Sequence, residues 1–187
     1  MRTRPIPYGR QSISEQDFQA AVNGLRADWL TQGPAIDRFE QAVADYCGAA
    51  HAVAVNSATS GLHIACRAAG LGPGDIAWTS PNTFVASANC ALYCGAGIDF
   101  VDIDPRTYNM SITALEQKLA QAKRSDALPK VIIPVHFAGQ SCDMQRIAEL
   151  ARPHNITVIE DAAHAIGGNC DDSAVGSCRH SAMTGLS

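Results

Sequence analysis

Four short stretches of the sequence collect the residue types that bind anions, planar rings and protons, and each follows an apolar run. Asn56-Ser57-Ala58-Thr59-Ser60 clusters small hydroxyl side chains between Val55 and the start of a helical pattern. Free main-chain N–H groups and hydroxyls at a helix N-terminus bind an anion, most naturally a phosphate. The same residue types also serve as an ordinary N-cap. Ser80-Pro81-Asn82-Thr83-Phe84 sets an aromatic side chain a few residues after an apolar run. It either lies flat on a planar ligand ring or opens a helix as a core residue. His136-Phe137-Ala138-Gly139-Gln140 passes through glycine into a polar turn, which a backbone bend explains. Val158 to His164 ends an apolar run on two acids, Glu160 and Asp161, with His164 three residues after Asp161. A carboxylate there can keep a pyridine nitrogen protonated, which makes that ring an electron sink. Two alternatives stand beside it: a Mg²⁺-binding acid at a strand end, which needs a phosphate loop, and a plain surface histidine at position 164.

Composition narrows these choices. Neither GxGxxG nor GxxxxGKS is present, which argues against dinucleotide and P-loop nucleotide binding. Fourteen Lys and Arg against eighteen Asp and Glu give a net charge of −4, with no basic stripe interleaved with aromatics, so no nucleic-acid partner is expected. The seven cysteines are odd in number and contain no CxxC pair, which fits a reducing cytoplasm better than a secreted disulfide framework. His164, Cys170, Cys178 and His180 lie close in sequence but match no zinc-finger or ribbon spacing, and no metal is expected. Cys90 and Cys94, one helical turn apart, read as small core hydrophobes. No apolar run near Met1 has signal-peptide or membrane-spanning length, so a soluble protein without a membrane partner is expected.

The elements that must position these residues follow from periodicity. Residues 1–13 are irregular. Ser14 and Asp17 then form an N-cap pattern ahead of Phe18, Ala21, Val22, Leu25 and Trp29 at helical spacing. Thr31-Gln32-Gly33 breaks this helix. Pro34 suits the first position of a second, whose face is Ile36, Phe39, Val43 and Cys47, with Gly48 closing it. From His51 the period changes. Apolar runs at 51–55, 76–79, 98–103, 131–136 and 156–160 read as buried strands. Helical stretches at 59–69, 84–94, 111–123 and 143–152 separate them. Alternation of this kind predicts an α/β fold with a mostly parallel, doubly wound sheet. Its ligand site belongs at the carboxyl ends of the strands, where the four stretches fall. Residues 1–48 are expected to be an N-terminal helical segment and 49–187 the ligand-binding domain. From Gly167 onward no period is visible, which suits a loop or part of a larger element.

Taken in order, Trp29 to Pro34, Asn56 to Ser60, Thr83 to Asn89 and Glu160 to Ala165 resemble the motifs of the DegT-type sugar-nucleotide aminotransferases, which use pyridoxal 5′-phosphate (PLP). The resemblance covers residues 8–187. Gly9-Arg10-Gln11-Ser12, the run from Trp29 to Pro34 and Val175-Gly176-Ser177-Cys178 resemble most the branch that aminates a UDP-linked 4-keto-6-deoxy-N-acetylhexosamine on the route to pseudaminic acid. The resemblance implies the large domain of a fold-type-I PLP aminotransferase, here incomplete and without the C-terminal small domain. By it, Ser57, Ala58 and Thr59 hold the PLP phosphate, with Ala58 where many relatives have glycine. Phe84 stacks on the pyridine ring, Asp161 pairs with its nitrogen, His164 sits near its phenolic oxygen, and Ser187 also reaches the phosphate. Gly185-Leu186 departs from the usual aromatic-containing approach to that serine. The Schiff-base lysine is expected five positions beyond Ser187, and none of Lys118, Lys123 or Lys130 matches it. The reaction implied by the resemblance moves an amino group from an amino acid, glutamate by that resemblance, to a 4-keto sugar nucleotide for surface or flagellar glycans. Homodimers are implied for the intact enzyme. The 187 residues by themselves are expected to be inactive, with open sheet edges that lower stability. A PLP-dependent sugar dehydratase, with histidine at the lysine position, and a non-catalytic remnant or binding subunit are the alternatives.

Overall fold

Neighbouring residues along each strand send their side chains to opposite layers, and in this chain both layers are apolar. In the computed structural model, which describes residues 11–170 and 172–187, five strands form one parallel sheet. They are β1 (Ile76–Thr79), β2 (Gly97–Phe100), β3 (Val131–Ile133), β4 (Thr157–Asp161) and β7 (Met183–Gly185), in the order β2-β1-β3-β4-β7. The remaining two strands, β5 (Asn169–Cys170) and β6 (Ser173–Ala174), pair as an antiparallel hairpin. Ala77, Val131, Ile133 and Ile159 point to the layer made by α3 (Ala58–Ala68) and α4 (Ala86–Tyr93). Trp78, Ile132 and Val158 point to the other, made by α5 (Ile112–Arg124) and α6 (Met144–Ala151). Fully burying each of the valine and isoleucine side chains contributes about 1.5–3 kcal/mol before chain entropy is charged against it. The expected doubly wound parallel sheet is therefore present.

Side-chain caps set where three of the helices begin. Ser57, Ser111 and Asp143 accept the amides of Ser60, Ala114 and Arg146, each three residues on, and removing such a cap costs about 1 kcal/mol. From β1 the chain runs through α4 to β2 on one side. It then returns through α5 to β3 on the other side of β1. The winding thus reverses at β1, and the crevice that such a reversal opens lies at the carboxyl ends of β1 and β3.

The sheet departs from the sequence expectation in four places. Residues 51–55 form no strand. Among the described residues they are tethered by the amide of Ala54 on Glu40 Oε1 at 2.7 Å, Val53 is exposed, and no described strand lies alongside to complete a ladder. The run 131–136 stops as a strand at Ile133, because Pro134 has no N–H for the ladder. The run 98–103 ends at Phe100. Conversely, the aperiodic tail supplies β7, which pairs with β4 through Ile159, Glu160 and Asp161.

Contacts divide the chain into two units, residues 1–39 and 40–187. In the first, α1 (Glu15–Leu25) carries the predicted Ser14/Asp17 capping box but ends before Trp29, and none of its residues is buried. A Cβ on Gly33 would stand 2.8 Å from Trp29 Cβ, so the break between helices needs glycine. Pro34 then opens α2 (Pro34–Cys47), which ends at Gly48 with φ +69°. Gly9 and Arg10, and the irregular start expected there, lie outside the described residues.

Candidate functional site

At the carboxyl end of β4 two adjacent acids part company. Asp161 is 6% exposed and ends the strand. Its main chain is held on both sides: its N–H donates to Pro134 O at 2.9 Å, and its C=O accepts from His136 N–H at 3.0 Å. The carboxylate accepts the Ser87 hydroxyl on Oδ2 at 2.5 Å and the Ala163 amide on Oδ1 at 3.3 Å. It therefore sits buried, anchored at one oxygen and lightly engaged at the other.

Glu160 turns to the opposite layer. Its Oε2 lies 2.7 Å from His136 Nε2, and its Oε1 accepts from Ser181 at 2.5 Å and Thr184 at 3.1 Å. His136 Nδ1 accepts the Cys142 amide at 3.0 Å, so the ring proton resides on Nε2 and donates to the carboxylate. Burial pushes the Glu160 carboxyl up. The bonds from His136, Ser181 and Thr184, with the influence of the imidazole, outweigh it and hold the carboxyl below its ordinary value. Glu160 is thus a buried fastener between β4, β7 and the segment after β3. A Mg²⁺ role for it has no phosphate loop to work with.

The remaining expected site residues surround Asp161 unevenly. Ser57 is the N-cap of α3 and accepts the Ser60 amide at 3.2 Å, leaving the Ala58 and Thr59 amides without helical partners. Phe84 follows β1 and is 73% exposed, so it is no core residue. His164 is exposed in the turn after β4, and its carbonyl lies 2.8 Å from where a Cβ on Gly139 would stand. Gly139 has φ +87°, so the bend after His136 depends on glycine both for its backbone angle and for this approach. Asn109, buried at 4%, clamps the same bend by donating to the carbonyls of Gln140 and Ser141, both at 3.0 Å, and accepting from Phe137 N–H at 3.0 Å. Ser187 follows β7, whose pairing of Gly185 with Asp161 brings the end of that strand to the same sheet edge.

The lysines lie elsewhere. Lys130 precedes β3 and bonds Asp75 and Gly70 O ahead of β1, at the amino edge. Lys118 pairs with Asp99 at 2.7 Å and lies over the Trp78 ring, and Lys123 is in the last turn of α5. Among the described residues, no three His, Cys, Asp or Glu side chains gather as a metal site. A separate groove of about 400 Å³ beside α6 is lined by Glu149, Arg152, Arg179 and His180, with none of the residues above. No described helix is long and apolar enough to cross a membrane.

Sequence reasoning missed Ser87, which it held only as part of a motif, and the His136–Glu160 pair, which it read as a bend and a strand-end acid. Thr83 and Ser87, hydroxyl residues four apart on either side of Phe84, were the available signal for Ser87. His136 and Glu160 are joined only by the sheet.

A parallel sheet with helices on both faces, a capped helix start, an exposed aromatic and a buried carboxylate at its carboxyl edge make this an α/β ligand-binding domain in form. The chain belongs to the DegT/DnrJ/EryC1/StrS aminotransferase family, whose model matches residues 11–185. It is 46% identical to GDP-perosamine synthase of Caulobacter vibrioides over 82% of this chain and 40% of that one. Among solved structures, the putative sugar aminotransferase Spr1654 of Streptococcus pneumoniae in its PMP-form superposes with a TM-score of 0.87 at 29% identity, over 98% of this chain and 48% of that one. PseC of Helicobacter pylori, an aminotransferase involved in the biosynthesis of pseudoaminic acid, does so with a TM-score of 0.84 at 30% identity, over 92% and 45%. The chain spans about two fifths of the length of the curated relatives it matches.

Proposed function

We propose that this chain binds pyridoxal 5′-phosphate for transfer of an amino group from an amino acid, glutamate in our reading, to a UDP-linked 4-keto sugar used in surface or flagellar glycans. The observation that carries the proposal is Asp161: a buried, hydrogen-bonded carboxylate at the carboxyl edge of a family-matched sheet. The donor set fits the cofactor. An acceptor-only carboxylate suits a protonated ring nitrogen, free amides and hydroxyls at a helix start suit a phosphate, and an exposed phenylalanine suits a ring face. Sugar chemistry is supported by the relatives, and the pseudaminic branch by the PseC likeness.

In this reading Asp161 keeps the ring nitrogen protonated, Phe84 covers one ring face, and Ser57, Ala58, Thr59 and Ser187 hold the phosphate. His164 stands by the phenolic oxygen. When bound, the cofactor supplies an electron sink for the charge that develops beside the transferred amine. Residues 1–48 serve as a helical lead-in and 49–187 as the binding domain, working in the cytoplasm as part of a homodimer. The exposure of Phe84, His164 and Ser187 supports a site that a second subunit helps to cover.

Lys118, Lys123 and Lys130 are engaged or placed away from this edge. Residues 1–187 assayed with glutamate, PLP and a keto sugar nucleotide are therefore expected to release no 2-oxoglutarate. The binding claim is tested separately, with pyridoxamine 5′-phosphate as the titrant. Asp161→Ala is expected to weaken binding about 10–100-fold, the effect of removing a hydrogen bond to a charged group. Equal affinity in both proteins would overturn the proposal.

A further inference from the structure

The Ser87 hydroxyl reaches beyond the helix that carries it. Ser87 is the second residue of α4 and fully buried, and the N-cap of that helix, Val85, makes no side-chain capping bond. Ser87 instead crosses 74 positions of sequence to Asp161 Oδ2 at 2.5 Å. Its other neighbours are Thr83 Oγ1 at 2.6 Å and the Phe84 carbonyl at 3.2 Å. A serine hydroxyl has one proton. The carboxylate is both nearer and charged, so it takes that proton, and Thr83 in turn donates to Ser87. The result is a directed relay, Thr83 to Ser87 to Asp161, threaded past Phe84.

We infer that Ser87, backed by Thr83, is a positioning residue that fixes the carboxylate plane of Asp161 so that Oδ1 is presented to a ring-nitrogen proton. This rests on the cofactor reading above. Rotation about the last bond of an aspartate is only weakly restrained by its own geometry, so a buried carboxylate needs a partner to hold its plane. Ser87 takes one of the two acceptor sites on Oδ2 and crowds that oxygen, so Oδ1, which among the described residues meets the long contact from Ala163 N–H, is the more open of the two. The relay also ties the residue proposed to face the ring to the residue proposed to meet its nitrogen, because Thr83 adjoins Phe84 in the chain.

The test compares affinities of residues 1–187 for pyridoxamine 5′-phosphate and for its 1-deaza analogue, which has C–H in place of the ring nitrogen. General loosening weakens both ligands, and their ratio isolates the nitrogen contact. The native chain is expected to prefer the nitrogen-containing ligand at least tenfold. Ser87→Ala is expected to cut that preference about tenfold, Ser87→Thr to retain most of it, and Thr83→Val to reduce it two- to threefold. A Ser87→Ala protein that discriminates as well as the native chain would overturn the inference while leaving the cofactor reading intact. A native chain that does not discriminate would overturn both.

Discussion

Glu160 and Asp161 carry the same functional group on consecutive residues, and the strand's alternation sends them to different work. Asp161 keeps one oxygen lightly used, whereas both oxygens of Glu160 are consumed by His136, Ser181 and Thr184. The Cys142 amide on His136 Nδ1 fixes which ring nitrogen donates, so in Glu160→Gln the amide oxygen must face His136. The amide nitrogen then faces Ser181 and Thr184, whose hydroxyls must turn from donating to accepting, and the charge-assisted bonds are lost. A loss of about 1.5–3 kcal/mol is expected from denaturant unfolding at neutral pH. The pH dependence has a definite sign. The folded chain holds the Glu160 carboxyl below its ordinary value, so its contribution is complete above the unfolded glutamate value, about 4.3. It is lost as pH falls from there through the lower folded value. Glu160→Gln should flatten the limb of stability that falls with pH below about 4.3. An unchanged limb would contradict the role given to this pair.

Among the elements, the bend after β3 links the two sides of the candidate site, and a glycine decides its path. Adding a Cβ at Gly139 would bring it within 2.8 Å of His164 O, at φ +87°. Gly139→Ala is expected to cost about 1–3 kcal/mol and to weaken pyridoxamine 5′-phosphate binding as the His164 turn shifts. A melt and a titration on the same protein check both, and native values in both would show that the bend tolerates a side chain. Element positions were legible where a hydrophobic period was long. α5 and α6 lie within a residue or two of their expected spans, β1 at its expected span, and β4 within one residue of its own. The short run at 51–55 has strand-forming residues but no described neighbour, and strand structure is a property of pairs. β7 failed for the converse reason: Met-Thr-Gly shows no period, and its strand character comes from β4. The helix start at Ser57 and the strand end at Asp161 were readable, because a capping hydroxyl and the close of an apolar run mark themselves. Ser87 and the His136–Glu160 pair were not, since their partners lie 74 and 24 residues away and meet only once the sheet is registered.

Over the whole molecule, the carboxyl edge gathers two buried acids, Glu160 and Asp161, and several exposed residues, while Phe18, Leu25, Trp29 and Leu30 of the first unit are exposed. Exposed apolar surface of this kind suits a protein that associates with another copy, in line with the proposed homodimer. The central claim, that this edge holds the cofactor through Asp161, is tested most directly by a crystal structure of the chain with pyridoxamine 5′-phosphate. The account predicts the ring nitrogen within hydrogen-bond distance of Asp161 Oδ1, Phe84 against the ring, and the phosphate on the amides of Ala58 and Thr59. A ligand seated instead in the groove of Arg152, Arg179 and His180, with Asp161 uncontacted, would contradict it.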